Sequence, residues 1–194
     1  LVVVVHPWES GLDNSPPYLN AGKRVQMSYK PQYTRLDLTH VSAKNRPTDK
    51  DYDLFVYLLE QMRAVDWNQP KYLETAQLQI QDVIFNSILC RANIDLAQIA
   101  TIIGEDPSQA QAWQETSMRA INETLWDEEE GGYFSRDRRT GELLKDDTIA
   151  GFIPLFGQAA PRDRAERVIA RLTDSQRFWP DGGYPVPTSA MSSP

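Results

Sequence analysis

Across the middle and end of this chain, apolar residues recur every three to four positions, and that spacing constrains the fold more than any other feature. In residues 48–65, Leu54, Phe55, Leu58, Leu59, Met62 and Val65 fall on one helical face. Thr48 or Asp49 can cap its start. Between Lys71 and Gly104, Ile84, Phe85, Ile88, Leu89, Ala92, Leu96, Ile99, Ala100 and Ile103 keep the 3.6-residue period for several turns, and Gly104 stops the run. "EDPSQAQAW" restarts it, with Asp106 as N-cap, Pro107 in the first turn, and Trp113, Ala120 and Ile121 on the buried face. A last helix begins near Pro161, with Ala165, Val168, Ile169 and Leu172 inward, and a shorter one covers Ile149 to Phe156. The chain therefore reads as all-α, built from successive helical hairpins in a stacked or toroidal array.

Two stretches depart from that period. Val2 to Val5 are β-branched and uninterrupted, which suits a short, fully buried extended segment ended by His6-Pro7. "GGYFSRDRRTGELL" places Tyr133 and Phe134, then Leu143 and Leu144, around a polar turn at Arg138 to Gly141, and so reads as a small β-hairpin. Residues 6–50 are rich in Pro, Gly, Asn and Asp. They read as irregular, with room for one short helix. A loop of that length in a compact domain is often functional.

Composition excludes several classes of function. The 194 residues carry a net charge of −7, which opposes binding to nucleic acid. No run is apolar enough to span a bilayer, which takes about 20 residues. A cytoplasmic protein acting on a small molecule is the expectation, with self-association left open. One cysteine, Cys90, cannot form an internal disulfide and reads as a small buried hydrophobe. No phosphate loop, nucleotide fingerprint or zinc spacing is present, so no cofactor and no metal is expected. "DEEEGG", from Asp127, lacks the alternating ligands of a calcium loop and reads as a solvated turn. The chain opens inside an apolar run and stops without a closing element, so both ends are expected to continue.

The chemistry concentrates in "HPWESGLDNSPPYL", residues 6–19. Trp8, Glu9, Asp13, Asn14 and Tyr18 lie close together after the valine run. Carbohydrate sites need this mixture: aromatic faces to stack on sugar rings, carboxylates and amides to bind hydroxyls, and one carboxylic acid to protonate a leaving oxygen. From composition alone, a packed loop with no ligand is the commoner case, since loops with a Trp and two acids are frequent.

"HPWESGLDNSPPYL" closely resembles the signature of the α-glycosidases of glycoside hydrolase family 63, which include bacterial mannosylglycerate and glucosylglycerate hydrolases. "NRPTDKDYDLFVYLLE", "FNSILCRANIDLAQIA", "NETLWDEEEGGYF", "TIAGFIPLF" and "GGYPVPT" resemble further blocks of the same family, in order along nearly the whole chain. The resemblance implies an (α/α)6 toroid. Residues 1–194 would supply about half of its roughly twelve helices, as part of a single catalytic domain.

It also implies inversion at the anomeric carbon, with Asp13 as general acid. Such a residue must keep its proton until transfer, and Glu9 is the neighbouring carboxylate that could help it do so. The base would be a Glu that activates water from the opposite face, and the resemblance places it outside this chain. Trp8 would wall the sugar subsite, and Asn14 would orient Asp13 or cap the turn. Arg46 and Tyr52 match the side that holds the aglycone. There an Arg can grip a glycerate carboxylate in a fork while the Tyr adds a hydroxyl. Asp82 and Asn86, at the start of a long helix, are weaker ligand candidates and stronger cap candidates. The implied function is an inverting glycosidase for glucosylglycerate or mannosylglycerate. A broader α-glucosidase acting on oligosaccharides or trehalose-like sugars, or a helical interaction module without catalysis, remain as alternatives.

Overall fold

The computed structural model describes residues 1–42, 44, 46–180, 182 and 186–193. Gly183, Tyr184 and Pro185, in the expected block at 182–188, lie outside the described residues, as does Asn45. The chain divides into two compact units: residues 4–80 with 137–140, and residues 1–3, 81–136 and 141–194.

The first unit opens with a 3₁₀ turn, Pro7–Ser10, and the helix α1, Pro16–Gly22. After an irregular stretch comes α2, Asp49–Ala64, and then the short α3, Gln69–Leu73. Thr48, not Asp49, is the cap of α2. Its hydroxyl accepts from the Asp51 N–H while the Asp51 carboxylate accepts from the Thr48 N–H, satisfying two backbone donors that a helix start would otherwise leave open. Leu54, Phe55, Tyr57 and Leu58 are buried on α2, whereas Leu59, Met62 and Val65 are half-buried. Val4 and Ile80 form an antiparallel bridge with two 2.8 Å hydrogen bonds, and both side chains are fully buried. The valine run is not buried throughout, however. Val2 is exposed and Val3 half-buried, and burial is complete only from Val4, where the pairing with Ile80 begins.

The second unit is dominated by α4, Val83–Ile103, and α5, Ser108–Thr124. Asp82 caps α4 through the Phe85 N–H, and Gly104, at φ 79°, ends it in the left-handed conformation that glycine adopts without a Cβ clash. Asp106 caps the next start through the Ser108 N–H at 2.9 Å, but α5 begins at Ser108, one residue after Pro107. The core gathers Val83, Cys90, Ile121, Leu125, Tyr133, Phe152, Val168 and Phe178. The Cys90 thiol is held above its ordinary pKa by that burial, which makes it inert as a nucleophile.

The expected hairpin is two ribbons. Besides the two-residue strand β1, Ile80–Gln81, β2, Trp126–Asp127, pairs with β3, Gly132–Tyr133, and β4, Ser135–Asp137, pairs with β5, Leu143–Leu144. Tyr133 thus faces Trp126, not Leu144. The "DEEEGG" carboxylates serve the first ribbon: Asp127 accepts from the Glu130 N–H and pairs with Lys145, and Glu128 meets Arg167. The 3₁₀ helix Ile149–Phe152 runs into α6, Ile153–Phe156, and α7 covers Arg162–Leu172 with Val168 buried.

On α4 the expected inward face is the exposed one. Phe85, Ile88, Leu96, Ile99 and Ile103 lie at the surface, while Val83, Asn86, Ser87, Cys90, Asn93, Ile94 and Ala97 are buried. The helix is apolar on two sides, and the side packed against α5 and α6 is the smaller-residue one, which lets the helices approach closely. Trp113 on α5 and Ile169 on α7 are likewise exposed, against expectation. Among the described residues no helix is long and apolar enough to cross a membrane.

α6 ends against α4 at Gly157, where an added Cβ would lie 2.6 Å from the Ser87 carbonyl oxygen. That oxygen belongs to the backbone, so the two elements would have to part. Gly157→Ala is expected to cost about 1–3 kcal/mol of unfolding free energy, measured by urea titration. Gly104→Ala, with open space but a left-handed φ, should cost about 1–2 kcal/mol.

Candidate active site

The first unit holds all six site residues expected from sequence. Its loop begins with a buried histidine. The His6 Nε2 donates to the Phe55 carbonyl on α2 at 2.8 Å, and its Nδ1 accepts from the Trp8 N–H at 3.1 Å. A carbonyl only accepts and an N–H only donates, so this ring is the neutral Nε2–H tautomer. Glu9 completes the turn: its Oε2 accepts from the N–H groups of Val5 at 2.8 Å and His6 at 3.3 Å. Gly11, at φ 69°, then breaks the 3₁₀ turn. Asp13 follows, half-buried, its charge acting on the His6 ring beside that of Glu9. Asn14 is exposed, and among the described residues no hydrogen bond joins it to Asp13.

Trp8 lies on the wall of this loop. Its ring is 6.2 Å from Tyr52 and 5.7 Å from Phe55, both edge-on, and 43% of the residue remains accessible. An aromatic face held by neighbours yet open to solvent can stack on a ligand. Tyr52 is one turn into α2, and Arg46 donates to its hydroxyl at 3.2 Å. Trp8, Tyr52 and Arg46 are therefore brought together. Glu9 contributes through the turn that carries Trp8.

Asp37 and Arg35, which sequence reasoning passed over, complete the cluster. Asp37 accepts from Arg46 Nε at 2.9 Å and from Arg35 at 2.7 and 3.1 Å. The Arg35 guanidinium, followed by that of Arg46, holds the Asp37 carboxyl well below the usual carboxylate range. Arg35 also lies 4.0 Å above the Tyr52 ring, and Tyr33 stacks on that ring at 6.2 Å. The signal in "PQYTRLD" was a period of two. In an extended segment Tyr33, Arg35 and Asp37 share one face, and here they are half-buried while Gln32, Thr34 and Leu36 are exposed. Asp82 lies in the other unit as the buried cap of α4, whereas Asn86, also buried, lies inside that helix and caps nothing. Asn86 ties Val2 through both its N–H and carbonyl. Among the described residues no three His, Cys, Asp or Glu side chains gather as a metal site.

A model of the "Mannosylglycerate hydrolase MGH1-like glycoside hydrolase domain" matches residues 1–194. The chain belongs to this glycoside hydrolase family. It is 38% identical, over its whole length, to the mannosylglycerate hydrolase of Thermus thermophilus, of which it covers 46%. It is 32% identical to the glucosylglycerate hydrolase of Mycolicibacterium hassiacum, over 91% of this chain and 40% of that one. The crystal structure of a family 63 mannosylglycerate hydrolase from Thermus thermophilus in complex with Tris and D-glycerate superposes with a TM-score of 0.90, at 36% identity, over all of this chain and 46% of that one. This glycoside hydrolase chain thus spans less than half the length of these relatives.

The His6 arrangement makes the loop sensitive to acid. Burial lowers the imidazole pKa below its ordinary value of about 6.5. Between the lowered value and 6.5 the unfolded state binds more protons, so this group's stabilisation is complete above pH ~6.5 and is lost as pH falls below it. Protonation would set an Nδ1–H against the Trp8 N–H. The urea midpoint is expected to fall below pH 6.5, and His6→Gln should remove that component of the slope.

Proposed function

We propose that this chain forms part of an inverting glycosidase that hydrolyses mannosylglycerate or glucosylglycerate, with Asp13 as general acid. The observation that carries the reading is Arg46. Its guanidinium donates to the hydroxyl of Tyr52, whose ring lies 6.2 Å from the accessible Trp8 ring, on the unit that carries the Asp13 turn. A glycerate aglycone offers the carboxylate that such a guanidinium binds best. The neutral oligosaccharides of the broader α-glucosidase reading do not, and an interaction module has no need of a carboxylate-binding arginine beside an acid turn.

In this mechanism Asp13 gives its proton to the glycosidic oxygen as the bond to the anomeric carbon breaks. A second carboxylate activates water on the opposite face, with about 6.5–9.5 Å between the pair. That base is proposed to come from the portion of the family's domain that these residues do not span. The exposed apolar face of α4 fits the same picture, as a surface that further helical hairpins of a toroid would cover.

Asp13→Asn in the full-length protein is expected to lower kcat by at least about 10²-fold while sugar affinity is retained. Near-normal turnover, read by product chromatography, would sink the assignment. Arg46→Ala should raise KM for a glycerate glycoside far more than for a neutral disaccharide, and equal losses would overturn the aglycone reading. The anomer released first, followed by NMR, tests inversion.

A further inference from the structure

Two guanidinium groups share the Asp37 carboxylate, and they are not equivalent. Arg35 has no nitrogen to spare: Nε and Nη2 donate to Asp37, and Nη1 donates to Asp49 at 2.8 Å. Its side chain is 12% exposed and lies flat on the Tyr52 ring. Arg46 gives Nε to Asp37 and Nη2 to Tyr52, and among the described residues its Nη1 has no hydrogen-bond partner. Its side chain is 34% exposed. Asp37, at 13%, shares its one negative charge between two arginines, while the largely exposed Asp49 pairs with Arg35 alone. The pairing therefore leaves Arg46 the less neutralised of the two arginines, and its charge has one open edge.

We infer that Asp37 is the positioning residue for aglycone recognition: it clamps the Nε side of Arg46 and so turns the Nη1 edge toward a ligand carboxylate. This rests on the reading that Arg46 meets that carboxylate. Arg35 acts one step further out, holding Asp37 by two hydrogen bonds and the Tyr52 ring by stacking. The Tyr52 hydroxyl in turn fixes the second terminal nitrogen of Arg46. Two hydrogen bonds thus define the plane of one guanidinium before any ligand arrives.

Two effects of removing the Asp37 charge compete. A freed Arg46 would carry a less neutralised charge, which favours an anion. It would also regain its rotamer freedom and be repelled by Arg35, whose charge would no longer be shared. An arginine's rotamer freedom is worth roughly tenfold or more in binding, and at a half-exposed site the electrostatic gain is screened, so loss of affinity wins.

The test uses the full-length protein and four readouts: KM and kcat on mannosylglycerate or glucosylglycerate, and inhibition by D-glycerate and by glucose. Asp37→Asn is expected to raise KM and the D-glycerate inhibition constant about tenfold. It should change kcat by less than about twofold and leave inhibition by glucose unaltered. Asp37→Glu should restore part of the loss. Arg35→Lys keeps the charge but loses the paired hydrogen bonds and the stacking, and should give a smaller rise in the same direction. It decides the matter if Asp37→Asn does not fold. An unchanged or lower D-glycerate inhibition constant, or an equal loss for glucose, overturns the positioning role. If Arg46→Ala weakens D-glycerate and Asp37→Asn does not, only the positioning role falls. If Arg46→Ala leaves D-glycerate unaffected, the carboxylate reading of Arg46 falls and takes this role with it.

Discussion

The site depends on one imidazole that is buried, neutral and hydrogen-bonded at both nitrogens. His6 joins the loop that carries Trp8 and Asp13 to the interior of α2, which carries Tyr52. A buried ring left with an open nitrogen would be destabilising, so the two bonds come as a pair and fix the loop's angle of departure. Glu9 adds to this by closing the turn from beneath, accepting the two backbone N–H groups that a 3₁₀ start would leave without partners. The polar density after the valine run is thus mostly structural support. Among the described residues of this cluster, the accessible side of Trp8, the Asp13 carboxyl and the Nη1 edge of Arg46 carry no hydrogen bond in that support.

A second layer holds the aglycone side. α2 presents Asp49, Tyr52 and Asp53 on adjoining turns, and the extended segment opposite presents Tyr33, Arg35 and Asp37 with a period of two. A helical period and a strand-like period meet there, and each ionic group finds a partner of opposite sign. Tyr33 donates to Asp53 at 2.8 Å, and Lys30 pairs with the same carboxylate. Paired charges of this kind add little stability where they are exposed. What they supply is orientation, and orientation is what recognition of a planar carboxylate by a planar guanidinium requires.

The comparison of α2 with α4 shows why some elements were legible in sequence and others only half so. On α2 a single apolar stripe runs between polar residues, so Leu54, Phe55 and Leu58 could point only one way. On α4 apolar side chains occupy both sides, and period alone does not say which is covered first. The small residues Ser87, Cys90 and Ala97 allowed close contact with α5 and α6, and the bulkier stripe from Phe85 to Ile103 was left outside. Asp37 escaped notice for a related reason. It stands in an irregular segment whose one signal is the period of two that it shares with Tyr33 and Arg35, and its other partner, Arg46, lies nine residues on.

By itself, the sequence determined the longer helices, the caps at Asp82 and Gly104, the loop that carries Asp13, and the family to which these blocks belong. Those features depend on neighbours within a few positions, where backbone hydrogen bonding and side-chain period decide the outcome. Tertiary structure alone decided that Glu9 serves its own turn, that Tyr133 pairs with Trp126, which face of α4 is buried, and that Asp37 and Arg35 converge on Arg46 and Tyr52. Each of these is a competition between alternative partners, near or far in the chain, settled by packing and by the requirement that buried polar groups find a hydrogen bond.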